Sequence, residues 1–521
     1  MPPRLKLPVR LLKIACIGLS IVPLVIAVWT ALTIGRNFPL QDEWEASTPV
    51  AINTAQNTLS MADMMAQNNE HRILLTHMVT SIVTLTTHWQ LQVEMLIGIG
   101  MGCLTVLFLF LVFRRQQRSL APWFIFPLMY LVFTPRDFAN VILAFQTQVW
   151  FVIVFLALAL WALYCWKNRT LALIVAAFCA TCTTFSFSSG FLLWPILLVI
   201  LLPLGYRHWS AYVFWIGAAL FVIVVLFLPG YMLGGTIPPP PGMSLTPNIF
   251  VFYVLIFLGN PFMSGTAMHI TLSSRIAIIG ILVFIANVLF IIRVKRQPNL
   301  PLWRDPVWRD ISIWFALAAY SVGTASLAAV GRWALFVTIL PNQPTGTRYV
   351  IHSVMFWIAV LGSGFQALTL SIQQIVGARR PVTLPNPPPQ TANESPAISV
   401  PIMAKLSQRT QPRITLYALA LANIVGIVTL VGLYIFANNV FAKFIVPIQS
   451  PAEDTCVLSY PFRHDEVCLS RFISDNNMNN VKASIMGMYE YRLGAFYYTK
   501  YTIENVMVLS FAPATQFPPP F

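Results

Sequence analysis

Long apolar blocks separated by short polar punctuation dominate the chain. They fall at residues 11–34, 92–113, 120–134, 149–166, 170–187, 190–205, 211–231, 276–292, 311–330, 350–370 and 414–436. About 20 residues at a rise of ~1.5 Å cross a hydrocarbon core of ~30 Å, and only helices or closed barrels satisfy their own backbone groups there. The pattern therefore predicts an all-α polytopic membrane protein of eleven transmembrane helices. A twelfth apolar stretch, 249–262, is short and interrupted by Gly259, Asn260 and Pro261, and reads as a half-helix on one side of the membrane. The first block is longer than a signal-peptide core of about 7–15 residues. The residues after it, Gly35-Arg36-Asn37-Phe38-Pro39, offer no small-x-small cleavage site, so it reads as a retained anchor.

Composition agrees. Of 521 residues 57% are hydrophobic and only 9% charged, and mean hydropathy is +0.72. Soluble domains carry about 25% charged residues, so a soluble enzyme, a disordered chain and a disulfide-dense scaffold are excluded. The net charge of +15 invites a nucleic-acid reading until the charges are placed. With the N-terminus inside, the inner segments hold 20 of the 32 basic residues but only Asp305, Asp310 and Glu394 of the 17 acidic ones. That asymmetry is the positive-inside rule, so the basic excess reports topology and no nucleic-acid partner is expected. The expected layout is a transmembrane domain over 1–436 in a cell (bacterial inner) membrane, with the N-terminus cytoplasmic. Within it, 35–91 form a first outer loop with surface helices and 371–413 an inner flexible linker rich in proline and amides. Residues 437–521 form an outer C-terminal region. Five cysteines lie in apolar blocks; the other two, Cys456 and Cys468, share the outer tail and are expected to form a disulfide.

Chemistry-bearing residues gather at the outer ends of the blocks. Gln41-Asp42-Glu43-Trp44-Glu45 follows the first span directly. A solvated loop with an interfacial Trp is one reading. The other is a carboxylate, Asp42 or Glu43, that accepts a proton from a sugar hydroxyl or holds a divalent cation. Asn68-Asn69-Glu70-His71-Arg72 opens a stretch whose apolar positions, Ile73, Leu74, Met78, Ile82 and Leu85, recur at helical spacing. A surface helix is expected there, with Glu70, His71 and Arg72 near its start and His77 on the Glu70 face. A polar turn of chance composition competes with a hydrogen-bonding set for a polar substrate; the His71–His77 spacing suits no helical metal site.

Further along, Arg136-Asp137, Asn140, Gln146 and Gln148 precede Trp150, and amides beside an aromatic suit a sugar. Ser186-Phe187-Ser188-Ser189-Gly190 reads as small residues for close helix packing. Arg332 and Thr347-Arg348-Tyr349 put cations in outer loops against the usual bias. Binding a lipid phosphate, or pairing with Asp42 or Glu70, accounts for them.

A first span ending in an acidic pair, a long first outer loop, about eleven spans and an outer C-terminal region together resemble the GT-C glycosyltransferases. These membrane enzymes use polyprenyl-phosphate-linked sugars; the protein mannosyltransferases and lipid A aminoarabinose transferases are examples. The segments DEW, NEHR, FQTQ-W, FSFSSGFLLWP and TRY also resemble bacterial membrane proteins grouped beside that superfamily. The resemblance implies that Asp42, with Glu43 as understudy, is the catalytic base. It implies that a polyprenyl-phosphate sugar is the donor and that the anomeric centre inverts. Arg348, with Arg332 or Arg72, would then stabilise the departing phosphate, while Glu70 and His71 orient sugar or acceptor. A transporter or flippase of a lipid-linked saccharide, and a non-catalytic scaffold, are the alternatives. Transporters place charge near the midplane of their spans, whereas here it collects at the outer edge.

Overall fold

A computed structural model describes residues 3–37, 39, 40, 42–231, 242–262, 270–297, 299, 300, 304–338, 343–378, 461 and 478–494. The expected span 414–436, the linker from 379 onward and Cys456 and Cys468 lie outside the described residues. In chain order the helices are α1 (Pro3–Ser20), α2 (Val22–Thr33), α3 (Glu43–Ala46), α4 (Thr48–Ala55) and α5 (Met61–Met64). A small hairpin of β1 (Gln67–Asn68) and β2 (His71–Arg72) precedes α6 (Leu74–Thr87), α7 (Leu91–Gln116) and α8 (Ala121–Val132). There follow α9 (Phe138–Ile142), α10 (Thr147–Cys165), α11 (Arg169–Thr184), α12 (Leu193–Leu201), α13 (Trp209–Leu220) and α14 (Pro247–Gly259). The last are α15 (Ile270–Lys295), α16 (Pro306–Thr338), α17 (Val350–Ala378) and α18 (Met478–Glu490).

Seven of these segments are long and apolar enough to cross a membrane: Leu11–Thr33, Leu91–Gln116, Ala144–Cys165, Trp209–Phe227, Ile270–Lys295, Pro306–Thr338 and Thr347–Gln374. The chain is thus a multi-pass, mostly helical membrane protein. The blocks at 120–134, 170–187 and 190–205 fold as shorter pieces: α8, α11, and a 3₁₀ turn at Ser188–Leu192 leading into α12. Pro135 lies three residues past the end of α8 and Pro203 two past the end of α12, and a proline cannot continue a helix.

The two ends of the bundle are defined by polar convergence. At one end Asp310 of α16 accepts from Tyr164 Oη (2.6 Å) and Lys295 Nζ (2.8 Å), while its carbonyl accepts from Gln116 (3.0 Å). This ties the last turns of α7, α10 and α15 to the first turn of α16. At the other end lie the first loop, the start of α17 and the end of α16. The chain leaves α13 through a π-helical segment, Phe221–Phe227, to reach Tyr231 at this second end. Because α15 runs from here to Lys295, α14 enters and leaves at the same end. Its length of 13 residues and its buried last turn, locked by Ser273 Oγ donating to the Ile256 carbonyl (2.8 Å), fit a segment that dips without crossing.

Between the ends, bulky side chains meet glycine. A Cβ on Gly98 or Gly102 of α7 would lie 2.8 Å from the Trp150 ring of α10, so only glycine lets these helices approach. Buried indoles also find acceptors, which Trp requires away from water: Trp150 donates to the Asn140 carbonyl (2.8 Å), Trp215 to the Trp194 carbonyl (2.9 Å) and Trp357 to the Leu258 carbonyl (2.8 Å). At the loop end α18 lies against α3 and α4, burying Val481, Ile485 and Met488 in the main core.

Candidate functional site

The first loop is built on Glu43. Directly after α2 the chain is held by Gln92, whose Nε2 donates to the Leu32 (3.1 Å) and Gly35 (2.9 Å) carbonyls. The short helix α3 then turns neighbouring carboxylates in different directions. Glu43 is buried, and its oxygens accept the amides of Leu40 and Phe145, each at 2.8 Å. It therefore staples the loop to the turn that starts α10. Burial drives the Glu43 carboxyl up to about 7, against the pull of those amides. Asp42 instead stays half-exposed and faces the cavity described below. Glu43 is thus a brace beneath the site, which corrects its expected role as a second base.

The expected helix forms, but it starts after the polar cluster, which folds instead as a hairpin. Asn68 pairs with His71 across a two-residue turn, and Asn69 sits at φ 49°, a left-handed conformation that asparagine tolerates better than most residues. The helix α6 begins only at Leu74. His77 accordingly parts from Glu70: its Nδ1 meets the Met64 carbonyl at 2.9 Å. Arg72 also points elsewhere, donating to the Pro229 carbonyl (2.5 Å) with its guanidinium 5.5 Å from the Phe227 ring centroid. It fastens the end of the π-helical segment to the hairpin.

The turn nevertheless delivers Glu70 and His71 to a cavity of about 510 Å³ at the loop end, within the size range of small-molecule sites. Asp42, Arg332, Arg348 and Tyr349 line the same space, as do Gln146 and Gln148. Arg332 Nη2 donates to both oxygens of Glu70, at 2.8 and 2.9 Å. That pair is closed: burial alone would raise the Glu70 carboxyl, but the charge of Arg332, joined at low pH by that of protonated His71, holds it below the usual carboxylate range. Arg348 stands 3.8 Å from Asp42, a loose pair with both side chains nearly half exposed. Its guanidinium lies 5.4 Å from the Tyr349 ring centroid. Gln148 is buried, and its Oε1 has no partner, leaving an acceptor aimed at whatever fills the cavity.

Burial pushes His71 down to about 4, so it is neutral near pH 7. The Ser188 amide donates to its Nδ1 (3.2 Å), which leaves the ring proton on Nε2. Nε2 is 3.7 Å from Glu70 Oε1, beyond hydrogen-bond reach. His71 is therefore a spare donor. Behind it the ring stacks on Phe187 at 4.0 Å, and Phe187 stacks on His352 at 5.3 Å. His352 Nδ1 is 2.7 Å from Tyr320 Oη, which lies 3.1 Å from Ser189 Oγ at the cavity wall.

Sequence reasoning missed how the Arg348 loop is held. Arg136 donates to the Thr345 carbonyl (2.7 Å), Asn260 to Gly346 (3.0 Å) and Asn140 to Arg348 (3.2 Å). These donors come from two separate segments, 135–142 and 260–262, and fix three carbonyls within four residues. Arg136 and Asn140 thus brace the loop and do not line the cavity. The Ser186–Gly190 turn, read as packing, does both jobs. A Cβ on Gly190 would collide with the Thr183 carbonyl at 2.0 Å, while Ser188 and Ser189 line the cavity. Tyr231, also missed, lines the cavity and donates to the Glu70 carbonyl at 3.1 Å. The remaining wall is apolar and includes Leu327 and Val330 of α16, both exposed on the outside of the bundle.

Among the described residues no group of three His, Cys, Asp or Glu side chains is placed to hold a metal ion. Comparison of the chain with protein-family models, curated proteins and solved structures finds no match in any of the three.

Proposed function

We propose that this protein is a GT-C-type membrane glycosyltransferase that moves a sugar from a polyprenyl-phosphate carrier to an acceptor hydroxyl at the outer face of the membrane. One observation carries the reading. A single cavity at one end of the bundle joins a loosely paired carboxylate, Asp42, to a loosely paired cation, Arg348, and its far wall opens through Leu327 and Val330 toward lipid. A phosphate on a long isoprenoid fits that combination of polar floor and lipid-facing wall.

Asp42 takes the proton of the acceptor hydroxyl as its oxygen attacks the anomeric carbon. The bond from that carbon to the phosphate oxygen breaks with its electron pair on the phosphate, and Arg348 swings from Asp42 to meet the new charge. His71 Nε2–H and Gln148 Oε1 supply one donor and one acceptor for sugar hydroxyls. Glu70, closed onto Arg332, orients and does not act as base. With the cavity end outside, the N-terminus is cytoplasmic. Eleven spans follow if 414–436 returns the chain across the membrane, a reading that the seat of α18 on α3 and α4 supports.

The test compares membranes carrying wild type and Asp42→Asn, with lipid-linked sugars and outer glycans profiled by mass spectrometry. The expected outcome is accumulated polyprenyl-phosphate sugar and one missing glycan sugar in the variant, through a loss of roughly 10²–10⁴ in rate. Unchanged pools at equal protein level would overturn the transferase and favour transport or scaffolding.

A further inference from the structure

A second cavity, about 360 Å³, lies where α11 and α13 begin. From there α11 rises 16 residues, about 24 Å, to Thr184 beside the Ser188–Ser189 wall of the first cavity. The second cavity is therefore at the opposite end of the bundle. Arg169, Arg207 and His208 line it, all exposed. Arg169 is aimed by its own bonds: Nη1 donates to the Leu204 carbonyl (2.9 Å), and the guanidinium lies 5.3 Å from the Tyr206 ring centroid. The N-terminus of α13 has no side-chain cap, so its first amides add partial positive charge to the same space. Tyr206 is buried in the cavity wall, and its ring and hydroxyl lie against Arg169 and help to hold that guanidinium in place. Next to these groups the wall turns apolar, through Ile174 and Phe214, both exposed toward lipid.

We propose that this cavity binds the phosphate headgroup of an anionic glycerophospholipid of the adjoining leaflet. The two arginines take the phosphate oxygens, with Tyr206 holding the Arg169 guanidinium from behind, and an acyl chain runs along Ile174 and Phe214. Cations that merely obey the positive-inside rule need no cavity with an apolar wall beside them. The lipid is a structural or regulatory ligand, separate from the substrate of the first cavity.

Native mass spectrometry of the full-length protein in detergent, titrated with phosphatidylglycerol or phosphatidylcholine, tests this. Arg169→Gln also loosens the Leu204 turn, so Arg207→Gln/Tyr206→Phe, which leaves that turn tied and frees only the hold of Tyr206 on Arg169, is measured beside Arg169→Gln/Arg207→Gln. Expected for wild type is one phosphatidylglycerol bound at least tenfold more tightly than phosphatidylcholine. Both double variants should lose that preference, while Asp42→Asn keeps it. Undiminished phosphatidylglycerol binding by a folded Arg207→Gln/Tyr206→Phe overturns the proposal. So does equal binding of phosphatidylcholine, or full displacement by millimolar inorganic phosphate, which would mark a free-anion site.

Discussion

Glu43 offers a sharp test of the loop architecture, because two opposed effects act on one carboxyl. Burial favours the protonated acid; the amides of Leu40 and Phe145 favour the carboxylate. Burial wins, lifting the group from 4.5 to about 7. Between those values the folded protein binds more proton than the unfolded chain, so stability is fully present below pH 4.5 and is lost as pH rises through about 7. From pH 5 to pH 8 the loss amounts to about 2.5 kcal/mol at ~1.4 kcal/mol per unit. Glu43→Gln removes the titration at the cost of one amide acceptor, about 1–3 kcal/mol at every pH. His71 works the other way, since its folded value near 4 makes stability fall as pH drops below 6.5, but that effect is common to both proteins and cancels. The assay is denaturant unfolding in detergent at several pH values, read as wild type minus variant. The difference should shrink by about 2.5 kcal/mol between pH 5 and pH 8. A flat difference would refute the burial argument, and a growing one would mean the amides dominate and Glu43 is ionised in the fold.

Two further outcomes follow from the cavity wall. In a double-mutant cycle of Arg332→Ala and Glu70→Gln, the coupling energy should be about 1 kcal/mol, discounted for partial exposure, and Glu70 should titrate at higher pH once Arg332 is gone; zero coupling would show that the pair is not formed. Asn140→Ala removes one of three anchors on the Arg348 loop, and should weaken binding of a phosphate-bearing donor by about 1–3 kcal/mol, roughly 5- to 150-fold, with kcat changed less than KM.

Charge at the ends of apolar blocks was easy to read, because any charge in an apolar chain needs a reason. Asp42, Glu70, His71, Arg332 and Arg348 stood out on that ground, and they meet in one cavity. The difference between Asp42 and Glu43 was not legible. Both are carboxylates at adjacent positions, and only the four-residue helix α3 decides which one turns inward. Arg72 misled for a related reason: the left-handed Asn69 reverses the chain, so neighbours in a cluster separate. Asn140 and Asn260 could not be assigned because their partners are backbone carbonyls some 200 and 86 residues away, which carry no side-chain signature. The short helices α8, α11 and α12 were overextended because apolar content continues past the point where proline or a 3₁₀ turn ends the helix. Tyr231 follows a π-helical segment that no periodicity announced.

The seat of α18 on α3 and α4 has a consequence for biogenesis. The loop bearing Asp42 is inserted early, yet the surface that packs against its back arrives more than 400 residues later. At synthesis rates of about 5–20 residues per second, that interval is roughly 20–90 s. During it the apolar face that receives Val481, Ile485 and Met488 has no cover, which makes the nascent first loop a natural client for a membrane chaperone. Arrival of α18 is then the event that closes the back of the first loop.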